Sequence, residues 1–166
     1  MPRTQTATRR AKMQRHIDLY YALTIESWEW SYRFSAAGRK PDAERAYFES
    51  RHLHVGGTLS HPHKSSGRRI NLAFVLSDDL LGRTAHLYQQ LPDCVGTIHW
   101  GRSANAFEGV FSMPDQTLPL LLPMLAAGHL KYVLLQSNGP FRGHLDVGTY
   151  EFLPSLTADH FPEGQW

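Results

Sequence analysis

The sequence predicts a mainly β domain, a single antiparallel sheet or a β-sandwich of about six to seven strands, with an α+β arrangement as the alternative class. Three observations lead there. Apolar and polar residues alternate over several segments, among them Ile17–Phe34, Arg51–Leu59 and Gly143–Phe152. Turn-forming stretches separate these segments, at Ala36–Asp42, Ser60–Gly67, Gly101–Asn105 and Ser137–Pro140. Helical spacing is confined to two short regions, about 78–91 and 118–128.

The first alternating segment puts Ile17, Leu19, Tyr21, Leu23 and Ile25 on one face, then continues with Trp28, Trp30, Tyr32 and Phe34. An odd-to-even change of phase is what a bulge or tight turn near Glu26 and Ser27 produces, so one long bent strand or a hairpin is expected. Ala43–Phe48 holds a helical turn or the start of another strand. Arg51–Leu59 places Leu53, Val55 and Gly57 opposite His52, His54 and Gly56, a half-exposed strand. Across the polar turn Ser60–Gly67 it pairs with the apolar strand Arg69–Leu76.

Ser77-Asp78-Asp79 offers an N-cap ahead of Leu80, Leu81, Thr84, Leu87, Tyr88 and Leu91, and the helix over 78–91 competes there with a strand over Thr84–Tyr88. Val95–Trp100 and Ala106–Met113 form a second hairpin. Thr117–Asn138 is the densest apolar stretch and is expected to organise the core. Leu118, Leu121, Leu122 and Leu125 recur at helical spacing, and Gly128 suits the left-handed residue that ends a helix. Pro119 fits a first turn, but Pro123 removes an interior hydrogen bond, so this helix must be short, kinked or late to begin. A core strand over Lys131–Gln136 follows, then the turn Ser137–Pro140 and a last strand with Leu145, Val147 and Thr149 opposite His144, Asp146 and Tyr150.

At 166 residues the chain can bury one core without disulfides or metals, and no period of 20–50 residues recurs. The expected organisation is a flexible basic tail over 1–15, a globular domain over 16–155 and a C-terminal tail over 156–166. The longest apolar run is about half of the roughly 20 residues of a membrane span, and the N-terminus lacks the apolar core of a secretory signal. With a single Cys94 there is no internal disulfide, and a cytoplasmic, reducing compartment fits.

The net charge of +2 is uneven, because Arg3, Arg9, Arg10, Lys12 and Arg15 crowd the first 16 residues without an acid. Removing those five from 17 basic residues leaves 12 against 15 acids, so the remainder carries −3. That balance does not show a basic domain surface for nucleic acid, whereas a nucleic-acid arm built from the five remains open.

No hydrolase, nucleotide or redox motif stands out. A Gly-x-Ser-x-Gly elbow and a P-loop are absent, and Cys94 beside Val95 reads as a small core residue rather than a nucleophile. Asp78-Asp79 reads as a helix cap before it reads as a cation site. His99, His144, Asp146 and Glu108 are dispersed along the chain. His52-Leu53-His54 and His61-Pro62-His63 could supply ligands to a divalent transition metal, since alternate strand residues share a face, yet Val55–Ser60 adds no carboxylate. Surface histidines on a hairpin are the simpler reading. Trp28 and Trp30, with Arg33, Arg51, Arg68 and Arg69, form the candidate binding set, and a one-sided aromatic strand otherwise packs into the core.

The preferred functional expectation is a non-enzymatic binding domain without a cofactor, acting through a sheet face or the edge of Ile17–Phe34 on a protein partner or on a second copy, with no membrane role. Nucleic-acid binding by the basic arm and exposed rings is the first alternative. A His-dependent metalloenzyme is the second.

Overall fold

Alternation of apolar residues becomes strands wherever one side of the pleat finds a core, and here seven strands do so. The computed structural model describes residues 19–36, 47–77, 93–100, 106–141 and 143–163. Among the described residues the strands are β1 Leu19–Ala36, β2 Tyr47–His61, β3 Arg69–Ser77, β4 Gly96–His99, β5 Ala106–Pro114, β6 Tyr132–Phe141 and β7 His144–Leu153, with one α-helix, α1, at Leu118–Ala126. The helix expected over 78–91 lies outside the described residues, as do the tail over 1–15 and Trp166.

The mainly β class is right, but the sheet is neither open nor a sandwich. It closes into a barrel in the order β1-β2-β3-β5-β4-β7-β6, with β6 returning to β1. Nor is it wholly antiparallel, because β3 runs parallel to β5 from Arg69/Ala106 to Ser77/Pro114. The period-two pattern specifies which face is buried but is silent on curvature, and closure removes the edges that a flat sheet would expose.

Each inward row reads directly from the sequence. Leu53, Val55 and Leu59 of β2, Ile70, Leu72, Phe74 and Leu76 of β3, and Phe107, Phe111 and Met113 of β5 are buried, and the outward positions between them mix polar residues such as His54, Asn71, Glu108 and Ser112 with the exposed Val75 and Val110. Glycines allow the wall to tighten. A Cβ on Gly57 would collide with the Thr24 carbonyl oxygen on β1, so only glycine permits the strands to approach there.

β1 is one long strand, and its phase change is a bulge: Ile25 pairs with Gly57 and Ser27 with Gly56, leaving Glu26 as the extra residue. Above the bulge, among the described residues, β1 pairs with β2 alone. Its pairing with β6 covers only Leu19–Thr24, and one further bond runs from the Ile25 N–H to the Lys131 carbonyl at 2.8 Å. β2 in turn meets β3 only over His52–Thr58. The segments Tyr32–Ala36 and Tyr47–Arg51 therefore leave the barrel as a two-stranded ribbon.

Helix α1 is short and starts at the leucines, with Pro119 in its first turn and Pro123 inside it. It ends through the Ala127 N–H to the Pro123 carbonyl and the His129 N–H to the Met124 carbonyl, both 2.9 Å. Gly128 takes φ 66°, the left-handed conformation expected of it. Leu118 and Leu125 are buried in the barrel core, and Leu121 and Leu122 pack against it, so the helix covers the end where β3 and β5 finish.

Two details of the last hairpin differ from expectation. Ser137–Pro140 is not a turn; β6 runs on to Phe141 with a register irregularity between Ser137 and Pro140 and Gly139 at φ 99°. A second irregularity, opposite Gly148, shifts the phase of β7, so Thr149 is exposed and Tyr150 joins the core against Phe74 and Phe111. Turn-prone residues and a bulge share the same composition, which is why the sequence pattern misplaced the bend. Outside the wall, a small second cluster joins Ala22, Leu134 and Phe161, the last from the C-terminal segment.

Candidate functional site

The fold divides the expected binding set between two ends of the barrel. Trp28 and Trp30 stand opposite Val55 and Leu53, so they lie on the face that lower down is the barrel interior. Trp30 packs on the core, but the same face emerges from the barrel with Tyr32 57%, Phe34 61% and Tyr47 61% exposed. Phe34 and Tyr47 stack with ring centroids 5.4 Å apart. The row read as a choice between core and exposed aromatics is both, because the barrel ends while the strand continues.

Arg33 is exposed on the other face of the ribbon. Arg51 lies 3.0 Å from Glu49 and 3.7 Å from Asp115, an ion pair that ties the ribbon to the turn ahead of α1. The Tyr32 hydroxyl is 3.4 Å from the Glu49 carboxylate. From Ser27 to Ala36 the outer edge of β1 meets no strand among the described residues.

Arg68 and Arg69 belong to the opposite end. Arg69 is exposed where β3 begins. Arg68 lies with its guanidinium carbon 5.6 Å from the centroid of the Phe107 ring, at the mouth of an apolar cavity of about 230 Å³ inside the barrel. Burial raises the Tyr21 phenol pKa above its usual value at the same mouth.

Of the histidines expected as a metal set, His52, His54 and His61 do not gather, and the side chain of His63 lies outside the described residues. His52 and His54 are neighbours on the outer face of β2, their rings 5.8 Å apart edge to face. His61 stands at the far end of the strand against Phe161, at 4.5 Å between ring centroids, and burial there lowers its pKa. Seven residues of strand separate it from His54, roughly 23 Å of rise. Among the described residues no group of three or more His, Cys, Asp or Glu side chains is arranged to hold a metal ion.

A cluster that the sequence did not assemble appears instead on the outer wall. β4 lies between β5 and β7, so His99 faces Glu108 on one side and His144 on the other, while Thr97 faces Asp146. The His99 and His144 rings are 5.9 Å apart, Thr97 Oγ1 is 3.2 Å from His99 Nε2, and His144 Nε2 is 3.7 Å from Asp146 Oδ2. Nothing in the sequence signalled this, since it depends on β4 sitting outside its sequence order.

Cys94 lacks the electropositive surroundings of a nucleophile. Burial pushes its thiol pKa up, with Asp146 and then Asp93 adding to the effect. The basic residues Arg3, Arg9, Arg10, Lys12 and Arg15 lie outside the described residues. No described helix is long and apolar enough to cross a membrane. No family model, curated protein or solved structure matches the chain.

Proposed function

We propose that this chain is a binding domain whose working surface is the projecting β1–β2 ribbon, and that a second copy of the chain pairs there edge to edge. The observation that carries the reading is the outer edge of β1 over Ser27–Ala36, which has no strand partner among the described residues and borders an exposed aromatic face. An edge of that length is a template for strand addition.

The edge is also self-complementary. A two-fold axis through Ser31 would place Glu29 opposite Arg33 of the second copy, twice, and would set Trp30 opposite Tyr32 and Trp28 opposite Phe34. Opposite charges and aromatic pairs directly across an antiparallel ladder are each worth roughly 0.2–1 kcal/mol. Neither Glu29 nor Arg33 is held in an ion pair among the described residues. Shifting the axis to Glu29 or to Arg33 instead brings like charges together, so the charge pattern selects the Ser31 register.

Sedimentation velocity over a concentration series tests this. The native chain should dimerise, Glu29→Arg should dissociate the dimer by facing Arg33, and the exchanged pair Glu29→Arg/Arg33→Glu should restore it. A monomer at all concentrations, or a dimer indifferent to Glu29→Arg, would sink the reading.

A further inference from the structure

The barrel interior is filled unevenly. At the α1 end the rings of Phe74, Phe111 and Phe152 interlock, with Phe74 centroids 5.2 Å from each of the other two, and the helix leucines close the space. At the other end the inward positions carry Leu59, Ile70, Ile98 and Leu145, and the rings of Tyr21, Trp100 and Phe107 line the same space. The cavity of about 230 Å³ left there is far larger than the water-sized voids that close-packed interiors tolerate. Small closed barrels hold single ligands in such a space.

The chemistry of the mouth is one-signed. Among the described lining residues, Arg68, Ser65, Tyr21 and the Trp100 indole carry the polar groups, and none of those residues is a carboxylate. The Arg68 side chain is exposed, rests over Phe107 and makes no ion pair with any described carboxylate. A guanidinium so placed can meet a carboxylate with two parallel N–H donors. The Tyr21 phenol, protonated near neutral pH like any tyrosine, lines the same cavity as a further donor.

We propose that the barrel mouth is a binding site for a small apolar monocarboxylate, its carboxylate on Arg68 and its hydrocarbon body among Leu59, Ile70, Ile98 and Leu145. Scaled from the ~150 Å³ cavity that accepts benzene, the space suits a ligand of roughly nine non-hydrogen atoms. This site lies at the end of the barrel opposite the ribbon, and it stands whether or not the chain dimerises.

Benzoate and its neutral isostere benzamide are the probes, titrated into the full chain by calorimetry and followed by methyl NMR. Benzoate should bind at one site and benzamide roughly tenfold or more weaker, as expected for losing a charge-assisted contact. Shifts should centre on Ile98 and Leu145. Arg68→Met should erase the preference for the anion, while Arg68→Lys keeps part of it; both changes are at an exposed side chain and leave the core intact. The proposal is overturned by equal affinity for the two probes, by a preference that survives Arg68→Met, by shifts centred elsewhere, or by no saturable binding of either.

Discussion

Thr58 of β2 donates a hydrogen bond from its hydroxyl to the Glu26 carboxylate at 2.6 Å, so the one extra residue of the β1 bulge is pinned to the strand it disrupts. The extra residue itself sets which side of the sheet the aromatics above the bulge occupy. Glu26→Ala removes an exposed bond and should cost about 1 kcal/mol or less in urea unfolding. Deleting Glu26 restores a continuous ladder and turns either Leu23 or Trp30 away from the core, so it should cost at least ~2 kcal/mol more. Equal losses would show that the bulge does not set the phase.

Phe74 joins the two ends of the aromatic core, touching Phe111, Tyr150 and Phe152 with centroids 5.1–5.2 Å away. Truncation leaves a cavity that these rings cannot collapse into. Phe74→Ala should lower unfolding free energy by about 3–5 kcal/mol, measured from the denaturant midpoint at unchanged slope.

Two glycines should respond in opposite ways to the same change. A methyl group on Gly57 meets the Thr24 backbone oxygen, whereas one on Gly148 meets nothing within 4 Å. Gly57→Ala should force β1 from β2 and sharply lower the melting temperature, while Gly148→Ala leaves it within a few degrees. Thermal melts of the two variants side by side provide the check.

Alkaline pH should weaken the fold through Tyr150. Burial pushes its phenol from 10.0 up to about 12, and its hydroxyl donates to the Ser112 carbonyl at 3.0 Å. Because the folded state holds this proton more tightly, an unfolded tyrosine ionises first as pH rises past 10.0, and stability falls from there to about 12. Below pH 10.0 the contribution is fully present. Tyr150→Phe should flatten the decline in chemical-denaturation midpoint above pH 10.0 without abolishing it, since burial raises Tyr21 as well.

Cys94 should be sluggish. With its thiol pKa raised by burial and by Asp146 and Asp93, iodoacetamide at neutral pH should modify it several-fold more slowly than an unstructured peptide thiol. Asp146→Asn should recover part of that rate. A native rate above the peptide's would contradict the account.

Local signals in the sequence were largely sufficient for the strands. Leu53/Val55, the Glu26 phase slip and Gly128 each follow from a rule that spans a few residues, and each appears where that rule places it. What escaped was non-local. The parallel pairing of Leu72 with Gly109 and the placing of His99 between Glu108 and His144 depend on strand order, which alternation does not encode. The split of Trp28 and Trp30 from Arg68 has the same origin: closure decides which end of the barrel a residue belongs to. Phase within a strand was lost once, at Gly148, where the isolated glycine that marks a bulge was read as part of a regular alternation.

The latch on this barrel is Phe161. The seam that closes the cylinder joins β1 and β6, elements more than a hundred residues apart in sequence, over only Leu19–Thr24 and Tyr132–Ser137. Closing a loop between such distant strands costs the most chain entropy, so the seam is expected to set late and to part early. Ala22 and Leu134 face each other across it, and the Phe161 side chain lies on both. The C-terminal segment thus straps the joint from outside, and amide exchange at Ala22 and Leu134 should quicken ahead of that at Leu72 when Phe161 is replaced by Ala.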